Sequence, residues 1–229
     1  GGAVSKSAGV LADRIRAVAA HLLQCEAGEI TFDNGEIQAS GASLKFSDVG
    51  RAWYLRPEEL PEGVDQGGLE VTEGYKPGTD LGVFSYASHA AVVAVDPATG
   101  HVEILDYAIT EDCGRMVNPM VVEGQAYGGT AQGIGTALFE ESPYDAFGQP
   151  LSSTLADYIL PGPAELPNMR IEHMETLSPH TAYGIKGVGE GSAIAPPAAI
   201  ANAINDALRS LGVEINQAPM PPSHILGKI

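Results

Sequence analysis

The sequence predicts an α+β fold, and three observations support this prediction. Apolar residues recur at helical spacing near the amino terminus, two pairs of short apolar runs are each joined by turn residues, and a last helical stretch ends at a glycine. The 229 residues lie between one large domain and two small ones, and an apolar content of 44% is enough to bury a sizeable core. We expect one domain or two interlocked lobes, covering about residues 1–80 and 81–229.

The amino-terminal part predicts, in order, an amphipathic helix, a hairpin, a short helix and a loop-like crossing segment. These cover residues 6–24, 29–39, 47–55 and 56–82, respectively. The hairpin prediction rests on Asn34-Gly35, because this dipeptide favours the left-handed turn that a two-residue hairpin needs. Ser47 or Asp48 is the expected cap of the short helix. The crossing segment is rich in proline and glycine, which are typical of loops.

The carboxyl-terminal part predicts a second hairpin, a long helix and a last helix. The two strands cover residues 90–95 and 101–109, and the turn between them covers 96–100. The long helix covers 118–141 and the last helix 196–211. In the turn, Pro97 presets the backbone and Gly100 accepts a left-handed conformation. Pro119 is suited to the first position of the long helix, and Gly212 stops the last one.

The long helix is unusual because it contains five glycines: Gly124, Gly128, Gly129, Gly133 and Gly135. Each costs up to roughly 1 kcal/mol relative to alanine inside a helix. Close packing against another element explains such a pattern, and so does the approach of a ligand to the backbone. The sequence alone leaves both explanations open.

Composition excludes several classes of function. With 12 basic against 29 acidic residues, the chain has a formal charge of −17, which argues against nucleic acid or an anionic membrane surface as partner. We expect no membrane span, because no apolar run approaches about 18 residues, and the amino terminus lacks the layout of a signal peptide. Cys25 and Cys113 form no paired motif, so we expect no metal bound by protein side chains and a reducing, cytoplasmic location.

The most informative segment is 183–192, in which four glycines surround Glu190 just before a helix start. A nucleotide-binding loop does not fit, because Ser192 stands where the dinucleotide pattern needs a third glycine. Two interpretations remain. In the first, the glycines leave space around the backbone so that a bulky ligand reaches the carboxylate of Glu190, which acts as a general base. In the second, Glu190 is simply an acid favoured at a helix amino terminus. The pattern alone favours the second without excluding the first.

A second candidate site lies on the long helix. Gln125 and Gln132 are seven residues apart, so they share one helix face with small residues between them. Their amides both donate and accept hydrogen bonds, which suits a cofactor with mixed polar edges. A tightly packed helix with exposed glutamines explains the pattern equally simply, and the pattern alone favours that explanation.

Taken together, these segments resemble the molybdenum hydroxylases, the family of xanthine dehydrogenase, aldehyde oxidase and aerobic carbon monoxide dehydrogenase. The resemblance is carried by the run from Asp112-Cys113-Gly114 to Gly135 and by the run from Lys186 to Glu190. It extends over nearly the whole chain and is densest at 82–211. It implies the carboxyl-terminal part of the large, molybdopterin-binding subunit.

The resemblance implies roles for individual residues. Glu190 matches a glutamate that lies beside molybdenum and takes a proton from its hydroxyl ligand, and Gln125 matches a glutamine that hydrogen-bonds molybdopterin. The implied cofactor-binding residues also include two short stretches: Gly187, Val188 and Gly189, and Gly2, Ala3, Val4 and Ser5. The second stretch is expected just before a helix, where backbone N–H groups suit an anion. The pterin dithiolene, not the protein, would hold the metal.

The implied reaction is hydroxylation of an aldehyde or an N-heterocycle with water as the oxygen source. The cofactor would be molybdopterin or its cytosine dinucleotide form. Alternatives on the same scaffold are a carbon monoxide dehydrogenase-like or a reductive enzyme, and a scaffold chain without catalysis.

The resemblance also implies partners. Electrons would leave through iron–sulfur clusters and FAD, and two cysteines cannot supply the four thiolates that each cluster needs. We therefore expect an iron–sulfur subunit, a flavin subunit and the upstream part of the large subunit, in addition to a small-molecule substrate. The chain begins at Gly1 without methionine, inside a predicted cofactor-binding stretch, so we expect it to be the downstream part of a longer protein.

Overall fold

The computed structural model describes residues 1–39, 41–64, 67–79 and 82–229. It confirms the α+β class, with helices packed on an antiparallel sheet and on a mixed sheet. The chain divides into two compact units, Gly1–Gly78 and Thr79–Ile229. The lobe boundary predicted at residues 80–81 lies outside the described residues. Each unit has a hydrophobic core of its own.

The first unit contains two helices and a three-stranded antiparallel sheet in the order β1–β2–β3. Its elements are α1 (Gly2–Leu23), β1 (Thr31–Asp33), β2 (Glu36–Ala39), β3 (Ala42–Lys45) and α2 (Phe46–Leu55). The core joins Val18 and Ala19 of α1, Ile37 of β2, and Val49 and Trp53 of α2. Fully burying an apolar side chain of this size contributes roughly 1.5–3 kcal/mol, so these contacts hold both helices on the sheet.

The first helix is longer than the sequence predicts. It begins at Gly2 rather than at residue 6, because apolar periodicity gives no signal in a first turn made mainly of small and polar residues. The first hairpin is confirmed: Asn34 and Gly35 have φ values of 46° and 81°. Among the described residues of 56–82, regular structure is limited to a 3₁₀ turn at Pro57–Glu59, so the loop-like prediction is confirmed there.

The start of α2 corrects the predicted cap. Neither Ser47 nor Asp48 is the capping residue, because the helix begins at Phe46 and Lys45 occupies the cap position. Asp48 instead lies in the first turn, where its carboxylate accepts the backbone N–H of Lys45 at 3.0 Å. Asp48 still satisfies a free N–H group at the helix start, but it does so from the third position after the cap and not as the cap itself.

The second unit packs helices on one face of a three-stranded sheet in the order β4–β5–β6. Its elements are β4 (Tyr86–Val95), β5 (Val102–Asp112), α3 (Pro119–Leu138), β6 (Met169–Met174), α4 (Gly191–Ile194), α5 (Pro196–Leu208) and α6 (Pro222–Leu226). β4 pairs antiparallel with β5, and β5 pairs parallel with β6. The core is centred on Tyr107 and Ile109 of β5, Ile134 of α3, and Ile200 and Ile204 of α5.

The hairpin, the long helix and the last predicted helix are confirmed, with changed ends. β4 begins earlier, at Tyr86, and β5 continues to Asp112, so the strand ends on two acidic residues. α3 ends at Leu138, and α5 passes into a 3₁₀ turn at Arg209–Leu211 that stops at Gly212 with φ 70°. No described helix combines the length and the apolar character that a bilayer crossing requires.

Candidate functional site

Residues 187–191, named here the glycine loop, line a cavity of about 500 Å³. The remaining lining comes from 83–87, Ile194 and Ala195. Glu190 is exposed at this cavity, and its carbonyl oxygen accepts the N–H of Ala193 at 3.1 Å as α4 begins. Glu190 is thus at a helix start and also at a cavity of the size that small ligands occupy. Both interpretations of the sequence agree with this placement, and the role of Glu190 as a base stays a prediction.

An ion pair holds the chain immediately before the glycine loop. The ammonium of Lys186 donates to Asp112 Oδ1 at 3.0 Å, and the two side chains are 8% and 1% exposed. Asp112 also accepts from the N–H of Gly114 at 2.9 Å, the N–H of Thr176 at 2.8 Å and the hydroxyl of Tyr86 at 3.1 Å. Lys186 lies 4.7 Å from the centroid of the Tyr86 ring, a favourable cation–π position.

The hydrogen bonds to Asp112 determine its ionisation. Burial raises the pKa of the Asp112 carboxyl, but hydrogen bonds from Thr176, Gly114 and Lys186 act in the opposite direction. Their combined effect holds the pKa well below its ordinary value. Asp112 is therefore a carboxylate at neutral pH and a fixed negative partner for the lysine.

A second carboxylate holds the chain immediately after the glycine loop. The hydroxyl of Ser192 donates to Glu111 Oε2 at 2.9 Å, and Glu111 is 1% exposed. At Gly191, a Cβ atom would lie 3.0 Å from Glu111 Oε1 and 3.2 Å from Ser85 Oγ, so a larger residue would displace its neighbours. Both ends of the loop are therefore held by the last two residues of β5.

Backbone contacts bring the two sequence motifs together. The N–H of Lys186 donates to the carbonyl of Cys113 at 2.9 Å, and the N–H of Ser178 donates to the carbonyl of Gly184 at 3.1 Å. Gly114 and Gly184 have φ values of 67° and 73°. A Cβ at Gly114 would overlap the Gly184 carbonyl oxygen, so glycine is required at this close approach.

Two glycines of the loop have no such requirement from the protein. At Gly187 and Gly189, a Cβ atom would meet no described atom within 4 Å, and neither residue has a left-handed backbone. Both positions are exposed beside Glu190. Open backbone of this kind fits the approach of a large ligand to the loop, which is what molybdopterin binding requires.

Four of the five glycines of α3 fall into two pairs, and the fifth, Gly135, packs against Glu140 and Pro161. Gly129 and Gly133 pack against the segment 192–196, where a Cβ at Gly133 would come within 2.6 Å of Pro196 Cγ. A Cβ at Gly124 or Gly128 would meet nothing within 4 Å. Packing therefore explains Gly129 and Gly133, whereas the approach of a ligand stays a prediction for Gly124 and Gly128.

The open pair flanks Gln125, which is exposed on α3. A side-chain amide with open backbone on either side fits a ligand that has polar edges. The structure thus agrees with a cofactor at this turn of the helix. The contact itself stays a prediction.

The predicted stretch of Gly2, Ala3, Val4 and Ser5 lies within the first turn of α1, not before it. The expectation that it precedes a helix is wrong, because α1 begins at Gly2. A Cβ at Gly2 would come within 2.6 Å of the Tyr75 ring, so packing within the first unit explains this glycine. The first turn contains no acidic residue and has no side-chain cap, which leaves its N–H groups suited to an anion.

The residues that hold the loop were not predicted from the sequence. Glu111 and Ser192 are 81 residues apart, and Asp112 and Lys186 are 74 apart. The available signal was the lysine directly before the glycines, together with two adjacent acids at the end of an apolar strand. In an acidic chain, a lysine next to a site needs a carboxylate partner if it is buried.

Protein ligands for a metal were not expected. Among the described residues, no group of three or more His, Cys, Asp and Glu side chains comes together. Cys113 is buried, and burial together with the nearby charge of Glu111 raises the pKa of its thiol, which disfavours the thiolate that metals bind.

Comparison with known proteins identifies the family. Residues 1–167 match the molybdopterin cofactor-binding domain. The nicotine 6-hydroxylase large subunit of Paenarthrobacter nicotinovorans is 37% identical over 99% of this chain and 28% of that protein. The carbon monoxide dehydrogenase large chain of Hydrogenophaga pseudoflava is 30% identical over 93% of this chain and 26% of that protein. The crystal structure of quinoline 2-oxidoreductase from Pseudomonas putida 86 has a TM-score of 0.82 and 40% identity, covering 98% of this chain and 28% of that chain.

The chain therefore spans little more than a quarter of the length of these relatives. The family match includes Gly2 to Ser5 and Gln125, and the similarity to the relatives continues over the glycine loop. These findings agree with the resemblance found in the sequence and with the open backbone around Glu190 and Gln125. The chain belongs to the molybdopterin cofactor-binding domain family, as a portion of the large subunit of the molybdenum oxidoreductases of the xanthine dehydrogenase type.

Proposed function

We propose that this chain is the catalytic portion of an enzyme that hydroxylates an N-heterocycle or an aldehyde with oxygen taken from water, with Glu190 as the base. One observation carries the proposal: an exposed carboxylate lies at a cavity of about 500 Å³, in a loop where the Cβ positions of Gly187 and Gly189 are open. A general base must be within reach of the proton that it removes. The placement of Glu190 meets this condition for a substrate in the cavity.

The residues of this chain would bind and orient the cofactor. The amide of Gln125 would donate to and accept from a polar edge of the pterin, while Gly124 and Gly128 would let the pterin approach the helix backbone. The N–H groups of Gly2, Ala3 and Val4, which precede the first hydrogen bond of α1 from Ser5 N–H to the Gly1 carbonyl, would suit the phosphate end. When bound, the molybdenum cofactor supplies the two-electron redox chemistry.

Glu190 then moves a proton. Its carboxylate would accept the proton from the water-derived oxygen nucleophile, so that this oxygen can attack an electron-poor carbon of the substrate. The C–H bond at that carbon would break, and its hydrogen and electron pair would pass to the bound cofactor. The Glu190 side chain is exposed at the cavity, so a molecule bound there can reach it. The buried pair of Asp112 and Lys186 supplies a fixed electrostatic background and does not take part in the transfer.

The substrate class is inferred from similarity. Two relatives over nearly the full length of this chain are named for nicotine and quinoline, which are both N-heterocycles. An N-heterocycle is therefore the first choice and an aldehyde the second. The cytosine dinucleotide form of the cofactor, an iron–sulfur subunit, a flavin subunit with FAD and a cytoplasmic location are parts of the same proposal.

A second candidate is oxidation of carbon monoxide. It is favoured by the 30% identity to a carbon monoxide dehydrogenase large chain over 93% of this chain. The chain itself does not separate the two candidates, because it contains only part of the matched subunits. Turnover of the assembled enzyme with carbon monoxide, N-heterocycles and aldehydes, measured side by side, distinguishes them.

The test is Glu190→Gln in the full-length, assembled and cofactor-loaded enzyme. Removing a general base is expected to lower kcat by about 10²- to 10⁴-fold, with the molybdenum content per protomer unchanged. Glu103→Gln is the matched control, because Glu103 is an exposed glutamate near the opposite end of β5. Wild-type turnover in the Glu190 variant would overturn the proposal. An enzyme that never contains molybdenum, in variant and wild type alike, would instead identify a scaffold chain.

A further inference from the structure

The glycine loop is tied at both ends to consecutive residues of β5. Asp112 binds Lys186 just before the loop at 3.0 Å, and Glu111 binds Ser192 just after it at 2.9 Å. Successive side chains leave a strand in opposite directions, so the two carboxylates reach the loop from different faces of β5. The five loop residues therefore connect two residues, Lys186 and Ser192, that are each bound by a side chain of the same strand.

Glu111 is the less well satisfied of the two acids. Asp112 accepts four hydrogen bonds, whereas Glu111 accepts one from Ser192, and its Oε1 has no hydrogen-bond partner among the described residues. A buried carboxylate with a single donor costs stability. The stability of the fold therefore does not explain why a glutamate is buried at position 111. Its single hydrogen bond, from Ser192, indicates that its role concerns this serine.

Ser192 is fixed from two sides. It is 2% exposed, its hydroxyl is held by Glu111, and a Cβ at Gly129 of α3 would lie only 3.3 Å from Ser192 Cβ. The next residue, Ala193, donates its N–H to the carbonyl of Glu190 at 3.1 Å. The position of Ser192 thus determines the backbone from which the Glu190 side chain projects.

The loop needs such an anchor because its glycines allow the backbone many conformations. A Cβ built at Gly187 or Gly189 would meet no described atom within 4 Å, so side-chain packing does not restrict the backbone there. Misplacing a catalytic group by about 1 Å can cost about 10²-fold in rate. We propose that Glu111 is a positioning residue, whose hydrogen bond from Ser192 fixes the direction in which Glu190 enters the cavity. The inference rests on the proposed function of Glu190, and it adds a residue outside the cavity lining.

The first experiment is Ser192→Ala in the assembled, cofactor-loaded enzyme. We expect kcat to fall about 10- to 100-fold while KM stays within about twofold, because the base is misdirected and the substrate cavity is kept. Independently of activity, hydrogen exchange of the 187–193 backbone should accelerate at least about tenfold. Ser88→Ala, an exposed serine on β4, should change neither quantity.

Two further variants separate positioning from general damage. Ser192→Ala added to Glu190→Gln should lower kcat no further than about twofold, because both changes act on the same proton transfer. Glu111→Gln keeps a hydrogen-bond acceptor for the serine, so it should retain kcat within about threefold of wild type. Multiplicative losses in the double variant would overturn the positioning role.

A third variant tests the proposal if the Ser192→Ala enzyme does not assemble. Gly191→Ala places a methyl group 3.0 Å from Glu111 Oε1 and should displace the loop, with the same loss of kcat and the same faster exchange. If both variants keep wild-type kcat and exchange while Glu190→Gln is inactive, the positioning role alone is overturned. If Glu190→Gln keeps wild-type turnover, the proposed function fails first.

Discussion

Burial determines what each ion pair around the second sheet contributes to stability. The pair of Lys186 and Asp112 has exposed fractions of 8% and 1%, whereas Arg170 and Asp106 form a pair at 2.8 Å with exposed fractions of 70% and 41%. Breaking a buried pair leaves a charge without compensation and costs about 3–5 kcal/mol. An exposed pair contributes about 0–1 kcal/mol, because water and salt screen it.

These two pairs give a matched prediction at the residue scale. Lys186→Met should lower the free energy of unfolding by about 3–5 kcal/mol, and Arg170→Met by less than about 1 kcal/mol. Both variants remove one positive charge and keep a long apolar stem, so the difference reports burial. Urea unfolding followed by circular dichroism measures it. Equal losses in the two variants would show that Asp112 finds other compensation.

The sequence predicted individual residues unevenly. Glu190 and Gln125 were singled out because each lies in a short contiguous motif, and the structure places both on the surface, next to the open Cβ positions of Gly189 and Gly124; their roles stay predictions. The pairing of Lys186 with Asp112 was not predicted, because it joins positions 74 residues apart through a parallel strand that the sequence did not indicate. Long-range pairing of this kind depends on the topology of the sheet.

At the scale of elements, α3 serves two purposes on two faces. Gly129 and Gly133 are four residues apart and let the segment 192–196 pack closely against the helix. Gly124 and Gly128 are also four apart and face open space beside Gln125. The same residue type thus meets a packing requirement on one face and leaves open backbone, the predicted binding surface, on the other.

The two faces predict opposite responses to alanine. Gly133→Ala should lower the free energy of unfolding by about 1–3 kcal/mol, because its Cβ would lie 2.6 Å from Pro196 Cγ. Gly124→Ala should raise it by up to about 1 kcal/mol through helix propensity, yet lower the molybdopterin content of the assembled enzyme. Chemical unfolding and pterin analysis measure the two effects. Unchanged pterin content in Gly124→Ala would remove this turn from the binding surface.

Element prediction succeeded where turn chemistry or capping was explicit. The Asn34-Gly35 hairpin and the α3 start at Asn118-Pro119 both have local signals, and both are confirmed. Two strands, β3 and β6, were not predicted. Each is short, and each pairs with a strand, β2 or β5, that already had a partner in a predicted hairpin. Propensity over four to six residues is too weak to identify such strands without their partners.

At the scale of the whole molecule, the open surfaces indicate an incomplete site. The chain spans little more than a quarter of its relatives, and its predicted cofactor contacts lie on exposed backbone at Gln125 and in the glycine loop. A cofactor bound on one side only loses the contacts and the exclusion of water that a closed cavity provides. The fold class can be predicted from this part of the subunit, whereas we expect the occupancy of the cofactor site to depend on the rest of the large subunit.

This incompleteness predicts weak cofactor binding by the isolated chain. Purified alone, it should contain at least about tenfold less molybdenum and pterin per protomer than the same chain assembled with the rest of the large subunit. A tenfold difference requires only about 1.4 kcal/mol of lost binding free energy, which a few missing hydrogen bonds exceed. Circular dichroism of both preparations checks that the chain is folded in each. Stoichiometric molybdopterin on the isolated, folded chain would show that α3, the glycine loop and the start of α1 suffice to bind the cofactor.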